Sequence, residues 1–240
     1  MILCIDIGNT NIVSAIWDGE NFSNHSRIET NKEKFGHLRE LDINSIAISS
    51  VVPRITEQYC NEFKNEYNIL PLVINHNNCG MKLSIDDPKE VGPDRICNVY
   101  AARELFDGPI IVVDFGSATT YDVINDSGEF IGGAISPGVD VSARNLVERA
   151  ALLNEVSFTF PNNVIGKNTL SNLQAGIMYA GIDAVDGMIR RIIKELNRRP
   201  IVILTGGFSS ILSPKLKIKH QLIPMLTLEG IRSIYDYNTT

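Results

Sequence analysis

Two stretches of this chain repeat one arrangement of side chains able to do chemistry. Residues 2–13 read ILCIDIGNTNIV and residues 110–123 read IIVVDFGSATTYDV. In each, an apolar run closes on an aspartate, Asp6 or Asp114, and a turn with glycine and hydroxyl-bearing residues follows. Gly8 and Gly116 let the backbone turn sharply and come close to a bound group. The hydroxyls of Thr10, Ser117, Thr119 and Thr120, with the N–H groups such a turn exposes, suit phosphate oxygens. The two carboxylates suit a metal ion held beside those phosphates. A third carboxylate, Asp94, lies in VGPDR, just ahead of an apolar-periodic segment. Ile96, Val99 and Tyr100 have helical spacing and predict a helix over 96–106. Asp94 then falls at a helix start, where the dipole and N–H groups favour negative charge. It is either a helix-start residue beside a solvated Arg95 or a catalytic group.

The elements that must position these residues follow from the repetition, which is sought before anything else. The two aspartates lie about one small domain apart. Strands are expected over 1–7 and 10–17, and Asp18-Gly19, a strong hairpin signal, predicts a third over 21–28. A polar helix is expected over 31–41, a buried strand over 46–51, a helix from Pro53 to about residue 67 and a short strand over 71–74. The second half repeats the scheme, with strands over 110–113, 121–124 and 129–135 and a helix over 139–151. A long helix over 170–196 has Thr169 as its expected N-cap. A strand over 200–204 ends in Thr205-Gly206-Gly207, and the tail over 221–237 carries a last helix with Gly230 as a weak point. The small residues Ala175, Gly176, Ala180, Gly181, Ala184 and Gly187 let another element pack on the long helix, either within the domain or from a second subunit. The fold class is α/β, with domains over 1–108 and 109–240.

Composition sets the outer limits. The chain has 240 residues, 44% of them hydrophobic and 21% charged, as in a soluble globular protein. A net charge of −6 argues against general nucleic-acid binding, which needs a basic face. No apolar run approaches the roughly 20 residues of a membrane span, and no signal peptide is read at the start. Cys4, Cys60, Cys79 and Cys97 are widely spaced and the four histidines form no ligand pattern, so free thiols in a cytoplasmic protein are expected.

Six motifs stand in one order: DIGNT from Asp6, GPDR from Gly92, DFGSATT from Asp114, GGAISPG from Gly132, GKNT from Gly166 and TGG from Thr205. GKNT is not a Walker A loop, because the upstream glycine and strand are missing. The paired hairpins resemble the acetate and sugar kinase/Hsp70/actin superfamily, whose two ribonuclease-H-like halves (duplicated mixed sheets with helices) close around a central ATP cleft. The ordered set resembles type III pantothenate kinase over nearly the whole chain.

That resemblance implies transfer of the ATP γ-phosphate to the hydroxyl of pantothenate, giving 4'-phosphopantothenate, the first step of coenzyme A biosynthesis. It implies that Asp6, Ile7, Gly8, Asn9, Thr10, Asn11, Ile12 and Val13 bind the ATP phosphates, with Asp6 near Mg2+ and Ser117 also touching ATP. Asp94 is then the general base. Gly92, Pro93, Asp94, Arg95 and Thr169 bind pantothenate, and Asp114 holds a monovalent cation, K+ or NH4+. A homodimer is expected. Three positions depart from the family: Pro93 replaces the usual alanine, Ser117 the commoner threonine, and Ile85 an aromatic residue that contacts pantothenate. A sugar or acetate-type kinase would not explain GPDR or GKNT. A non-catalytic regulator on the same fold would be favoured by loss of Asp94 or Asp114, and both are present. An actin- or Hsp70-like binding module would need large inserted subdomains, for which 240 residues leave no room.

Overall fold

A computed structural model describes residues 1–32, 43–149 and 157–240. The chain divides into two compact units. The first comprises 1–107, 128–131 and 225–240, and the second 108–127 and 132–224. The sequence-based division at 108/109 assigns the last helix to the second half. In the structure that helix completes the first.

In the first unit, β1 (Ile2–Ile7), β2 (Asn11–Trp17) and β3 (Phe22–Glu29) form an antiparallel meander. β4 (Ser45–Ser50) adds parallel to β1, and β5 (Leu72–Val73) parallel to β4, giving the order β3-β2-β1-β4-β5. The turn after β2 forms as Asp18-Gly19 predicts: Asp18 Oδ1 accepts from the N–H groups of Glu20 and Asn21, each at 2.8 Å. Apolar side chains of β1 and β4 pack with Ile55, Tyr59 and Phe63 of α1 (Pro53–Tyr67) as one core. Each such side chain contributes about 1.5–3 kcal/mol on burial, so the strand that ends at Asp6 is firmly anchored. α2 (Pro93–Leu105) and α6 (Leu226–Thr239) pack on each other in the same unit. Thr30–Lys32 forms one 3-10 turn, and the rest of the helix expected over 31–41 lies outside the described residues.

The second unit repeats the plan. β6 (Ile110–Phe115) and β7 (Ala118–Ile124) are antiparallel, β8 (Phe130–Pro137) lies beyond β7, and β9 (Ile201–Thr205) runs parallel to β6 with β10 (Gln221–Leu222) outside it. The order β10-β9-β6-β7-β8 is that of the first sheet, strand for strand. α4 (Thr169–Leu196) buries Met178, Ile182, Val185 and Ile189 against Ile111, Val113 and Leu204 of this sheet. Buried Asp186 on α4 accepts from the N–H groups of Lys217 and Ile218. α3 covers Val139–Glu148, within the helix expected over 139–151, of which 150 and 151 lie outside the described residues. α5 is the single turn Ser209–Leu212.

Two expectations are corrected. The N-cap of α4 is Asn168, whose side chain accepts from the Ser171 N–H at 2.9 Å while Ser171 Oγ accepts from the Asn168 N–H at 3.2 Å. This reciprocal capping box makes Thr169 the first helical residue. Gly230 is a packing point of α6 and no flaw in it: a methyl group there would lie on the carbonyl of Cys97 in α2.

Candidate active site

The first hairpin is fixed from three sides. Gly8 N–H donates to the Asn11 carbonyl at 3.0 Å, closing the turn. Thr30 donates its hydroxyl to the Gly8 carbonyl at 2.8 Å and its N–H to the Thr10 carbonyl at 2.9 Å. With these carbonyls engaged, the turn is held in one shape and its remaining capacity shifts toward donors, as phosphate requires. Asn9 and Thr10 are exposed, whereas Ile7 and Ile12 are buried in the core. What those two isoleucines offer a phosphate is backbone alone. Asp6, Asn11 and Val13 are half-buried. Asp6 accepts from the hydroxyl of Ser49 at 2.9 Å.

Asp94 is the second residue of α2, after the cap Gly92 and Pro93 at the first position. Pro93 suits that place, because its missing N–H would have no helical partner there. The Arg95 N–H donates to Asp94 Oδ1 at 2.8 Å and holds the carboxylate back against the helix start. Gly92 is needed for this arrangement, since a methyl group on it would fall on Asp94 Oδ1. Part of Asp94 remains accessible, but the atoms crowding its carboxyl strip it of water. That burial raises its pKa above the ordinary 3.8, against the lowering effects of the Arg95 N–H and guanidinium. The Arg95 guanidinium lies 5.5 Å from the ring centre of buried Phe130. Phe130 is held in turn by the pairing of 82–84 with 128–131, where the Ser84 N–H donates to its carbonyl at 2.7 Å. Ile85 follows directly and is half-buried.

Asp6 and Asp94 both act electrostatically on one buried thiol, that of Cys97. Burial pushes the Cys97 pKa well above the thiol range, and the carboxylates of Asp6 and then Asp94 push it further. The first unit alone therefore brings the first hairpin and the GPDR carboxylate into one neighbourhood.

In the second unit, Gly116 and Ser117 form the turn between β6 and β7, and Ser117 is exposed. The Gly138 N–H donates to the Ser117 carbonyl at 3.0 Å. A side chain at Gly138 would strike the carbonyls of Gly116 and Ser117, so the PG dipeptide at 137–138 braces the hairpin from beneath. Asp114 is half-buried, paired in register with Thr120 on β7 and Thr205 on β9. Gly206 has φ +88°, and a methyl group there would lie on Asp114 Oδ1 and 2.6 Å from the Phe115 nitrogen. The glycine after β9 thus lets the backbone pack directly against the Asp114 carboxylate and the Phe115 backbone, a role beyond turn chemistry. Thr120 donates its hydroxyl to buried Asp122 at 3.0 Å. Thr169 is exposed at the start of α4.

Oxygen is the donor chemistry here. Among the described residues, no three of His, Cys, Asp and Glu cluster as they do in an all-protein metal site. A single carboxylate with hydroxyl and carbonyl oxygens fits a hard cation that takes its other ligands from water and phosphate. Also among the described residues, no helix is long and apolar enough to cross a membrane.

The sequence profile of the type III pantothenate kinases matches residues 2–191. The chain belongs to the type III pantothenate kinase family. A type III pantothenate kinase of Moorella thermoacetica is 41% identical over 254 residues, covering all of both chains. One of Geobacillus kaustophilus is 38% identical over 257 residues, covering 100% of this chain and 98% of the relative. Members of the family are ATP-dependent kinases that phosphorylate pantothenate in coenzyme A biosynthesis. Among solved structures, a candidate Baf family transcriptional activator from Campylobacter jejuni superposes with a TM-score of 0.61 at 21% identity, covering 98% of each chain. Component A of an (R)-2-hydroxyglutaryl-CoA dehydratase from Acidaminococcus fermentans gives 0.52 at 14% identity, covering 99% and 97%. At such identities the likeness is one of fold. With the two five-stranded mixed sheets, it agrees with the expected pair of ribonuclease-H-like domains.

Sequence reasoning missed three contributors. Ser49, next to last in β4, and Thr205, last in β9, stand in register with the two aspartates, and the signal was there: SIAISS and IVILTGG both close a buried run with hydroxyl-bearing residues. Gly138, in sequence a turn glycine after Pro137, is the brace of the second hairpin.

Proposed function

We propose that this chain transfers the γ-phosphate of ATP to the hydroxyl of pantothenate, with Asp94 as the base that accepts the hydroxyl proton. The observation that carries this reading is the Asp94 carboxylate itself. It is desolvated, fixed by the Arg95 N–H, and set in one neighbourhood with the Asp6 hairpin. Phosphoryl transfer asks mainly for positioning and charge neutralisation, which two rigid hairpins and a held carboxylate supply. Residues 6–13 bind the ATP phosphates, Asp6 lies near Mg2+, and Ser117 touches the nucleotide. Gly92, Pro93, Arg95 and Thr169 bind pantothenate, and Ile85 makes a smaller apolar contact in place of the family's aromatic one.

Asp114 holds K+ or NH4+ in this reading. The hydroxyl-bearing residues in register with it, Thr120 and Thr205, support that role, since a hard cation takes oxygen ligands. Bound there, the cation supplies positive charge beside the phosphates. Gly206→Ala is expected to raise the K+ concentration giving half-maximal rate by at least about tenfold, because the added methyl group displaces the carboxylate. A K+ titration of the variant with unchanged midpoint would remove the cation from this place.

The chain also forms a homodimer through its second unit. Exposed apolar residues concentrate there: Val164, Ile165, Leu170, Ile135 and Leu146. Gly176, Ala180 and Ala184 on α4 are exposed as well, with open space beyond Gly176. Light scattering in solution should give twice the chain mass, and a monomer would reject this part.

The assay that tests the whole reading is ATP consumption by the purified protein in K+ buffer with Mg2+, with and without pantothenate. Strong stimulation and formation of the phosphate ester are expected. ATP binding without stimulation would move the substrate to another class of alcohol.

A further inference from the structure

We propose that Ser49 is a positioning residue for Asp6, its buried hydroxyl fixing the carboxylate in the orientation that faces the divalent ion of bound ATP. This rests on the kinase reading above.

The two sheets provide an internal comparison. β4 and β9 hold the same place in the duplicated strand order, and register sets Ser49 opposite Asp6 and Thr205 opposite Asp114. Each parallel strand therefore carries a hydroxyl alongside an aspartate, next to last in β4 and last in β9. The two hydroxyls are used differently. Ser49 Oγ donates to Asp6 Oδ1 at 2.9 Å, whereas Thr205 Oγ1 turns to the Pro224 carbonyl at 3.5 Å and Gly206 flanks Asp114 instead. One aspartate is held by the hydroxyl of its strand neighbour, and the other has the Gly206 backbone packed against it.

Ser49 has no exposed surface, so water does not compete for its single proton. A hydrogen bond from a buried hydroxyl to a carboxylate is charge-assisted and stronger than a neutral one. The buried Cys97 thiol lies near the same carboxylate, and burial first, then Asp6 and Asp94, push its pKa up. The strand beneath is anchored by Ile46 and Ile48 in the core, so the hydroxyl is delivered from a rigid element.

The test compares Ser49→Ala with Ser49→Thr in the full chain by three measurements. They are thermal unfolding without ligand, calorimetric binding of a non-hydrolysable ATP analogue across a Mg2+ titration, and KM for ATP and for pantothenate. The alanine variant should lose about tenfold in Mg2+-dependent analogue binding and gain about tenfold in ATP KM, with pantothenate KM changed less than about twofold. Threonine keeps the hydroxyl and should recover most of the loss. If the alanine variant does not fold, Ser49→Cys carries the same comparison, with a weak donor at similar volume. The proposal is overturned if alanine, or cysteine in its place, binds the analogue with unchanged Mg2+ dependence. It is equally overturned if threonine does no better than alanine while both unfold at the parent temperature. Analogue binding needs no pantothenate. A parent protein that binds the analogue but does not phosphorylate pantothenate would therefore retire the kinase reading and leave the Ser49 result standing.

Discussion

Asp94→Asn is expected to leave a folded protein whose turnover falls at least about a hundredfold, the usual cost of losing a general base. The fold should survive because asparagine keeps the shape and the oxygen that accepts the Arg95 N–H. Stability should move slightly the other way. Burial raises the pKa of Asp94, so the folded chain holds this proton more tightly than the unfolded chain does. Its contribution to stability is complete below the unfolded pKa and is lost as pH rises through the raised folded value. At neutral pH the ionised carboxylate is therefore a cost, and the uncharged variant is relieved of it. A melting temperature equal to or above the parent's, together with the collapse in turnover, separates a catalytic group from a helix-start residue. In the parent, kcat/KM should fall on the acid side with an apparent pKa above 3.8, because only the ionised carboxylate accepts a proton. Near-normal turnover of the variant would end the assignment of Asp94 as the base.

Gly230→Ala carries the largest expected effect on stability. Alanine is the better helix former by about 1 kcal/mol, so in an exposed helix the substitution would help. Here the added carbon would sit on the Cys97 carbonyl and 2.8 Å from the Cys97 Cα, and backbone cannot swing aside as a side-chain end can. Overpacking of this kind costs about 1–3 kcal/mol and sometimes more, which outweighs the propensity gain. A melting temperature lowered by several degrees is expected, at roughly 2–4 °C per kcal/mol for a chain of this size. Gly187→Ala in α4, where a methyl group meets nothing within 4 Å, is the matched control and should raise it. Equal responses at the two positions would show that α6 does not depend on close approach to α2.

The strands were legible because burial on both faces leaves uninterrupted apolar runs, as in ILCIDI and IIVVDF. The duplication was legible because each run stops on the same residue type before the same turn. Long-range partners were not. Nothing local ties 128–131 to 82–84, or α6 to α2, and a helix glycine such as Gly230 reads as a defect until its neighbour is known. The capping of α4 slipped by one residue because Asn168 and Thr169 are both good caps, and Ser171 decides between them from three positions on. For the site, aspartates and glycines announced themselves by spacing. Ser49 did not, because its value comes from β-sheet register, which a sequence shows only once the strands are paired.

The place of α6 bears on how the protein comes off the ribosome. Chains are made from the N-terminus, and domains generally close in that order. Here every residue of the second unit has been synthesised once Pro224 is added, while the first still waits for residues 225–240. Until then α2 lacks the helix that covers it, and buried Asn98 lacks the Thr227 hydroxyl that donates to its side chain at 2.8 Å. The unit whose synthesis begins first is thus also the one that needs residues from beyond the second unit, and α2, with the carboxylate at its head, gains its covering helix only with residues 225–240.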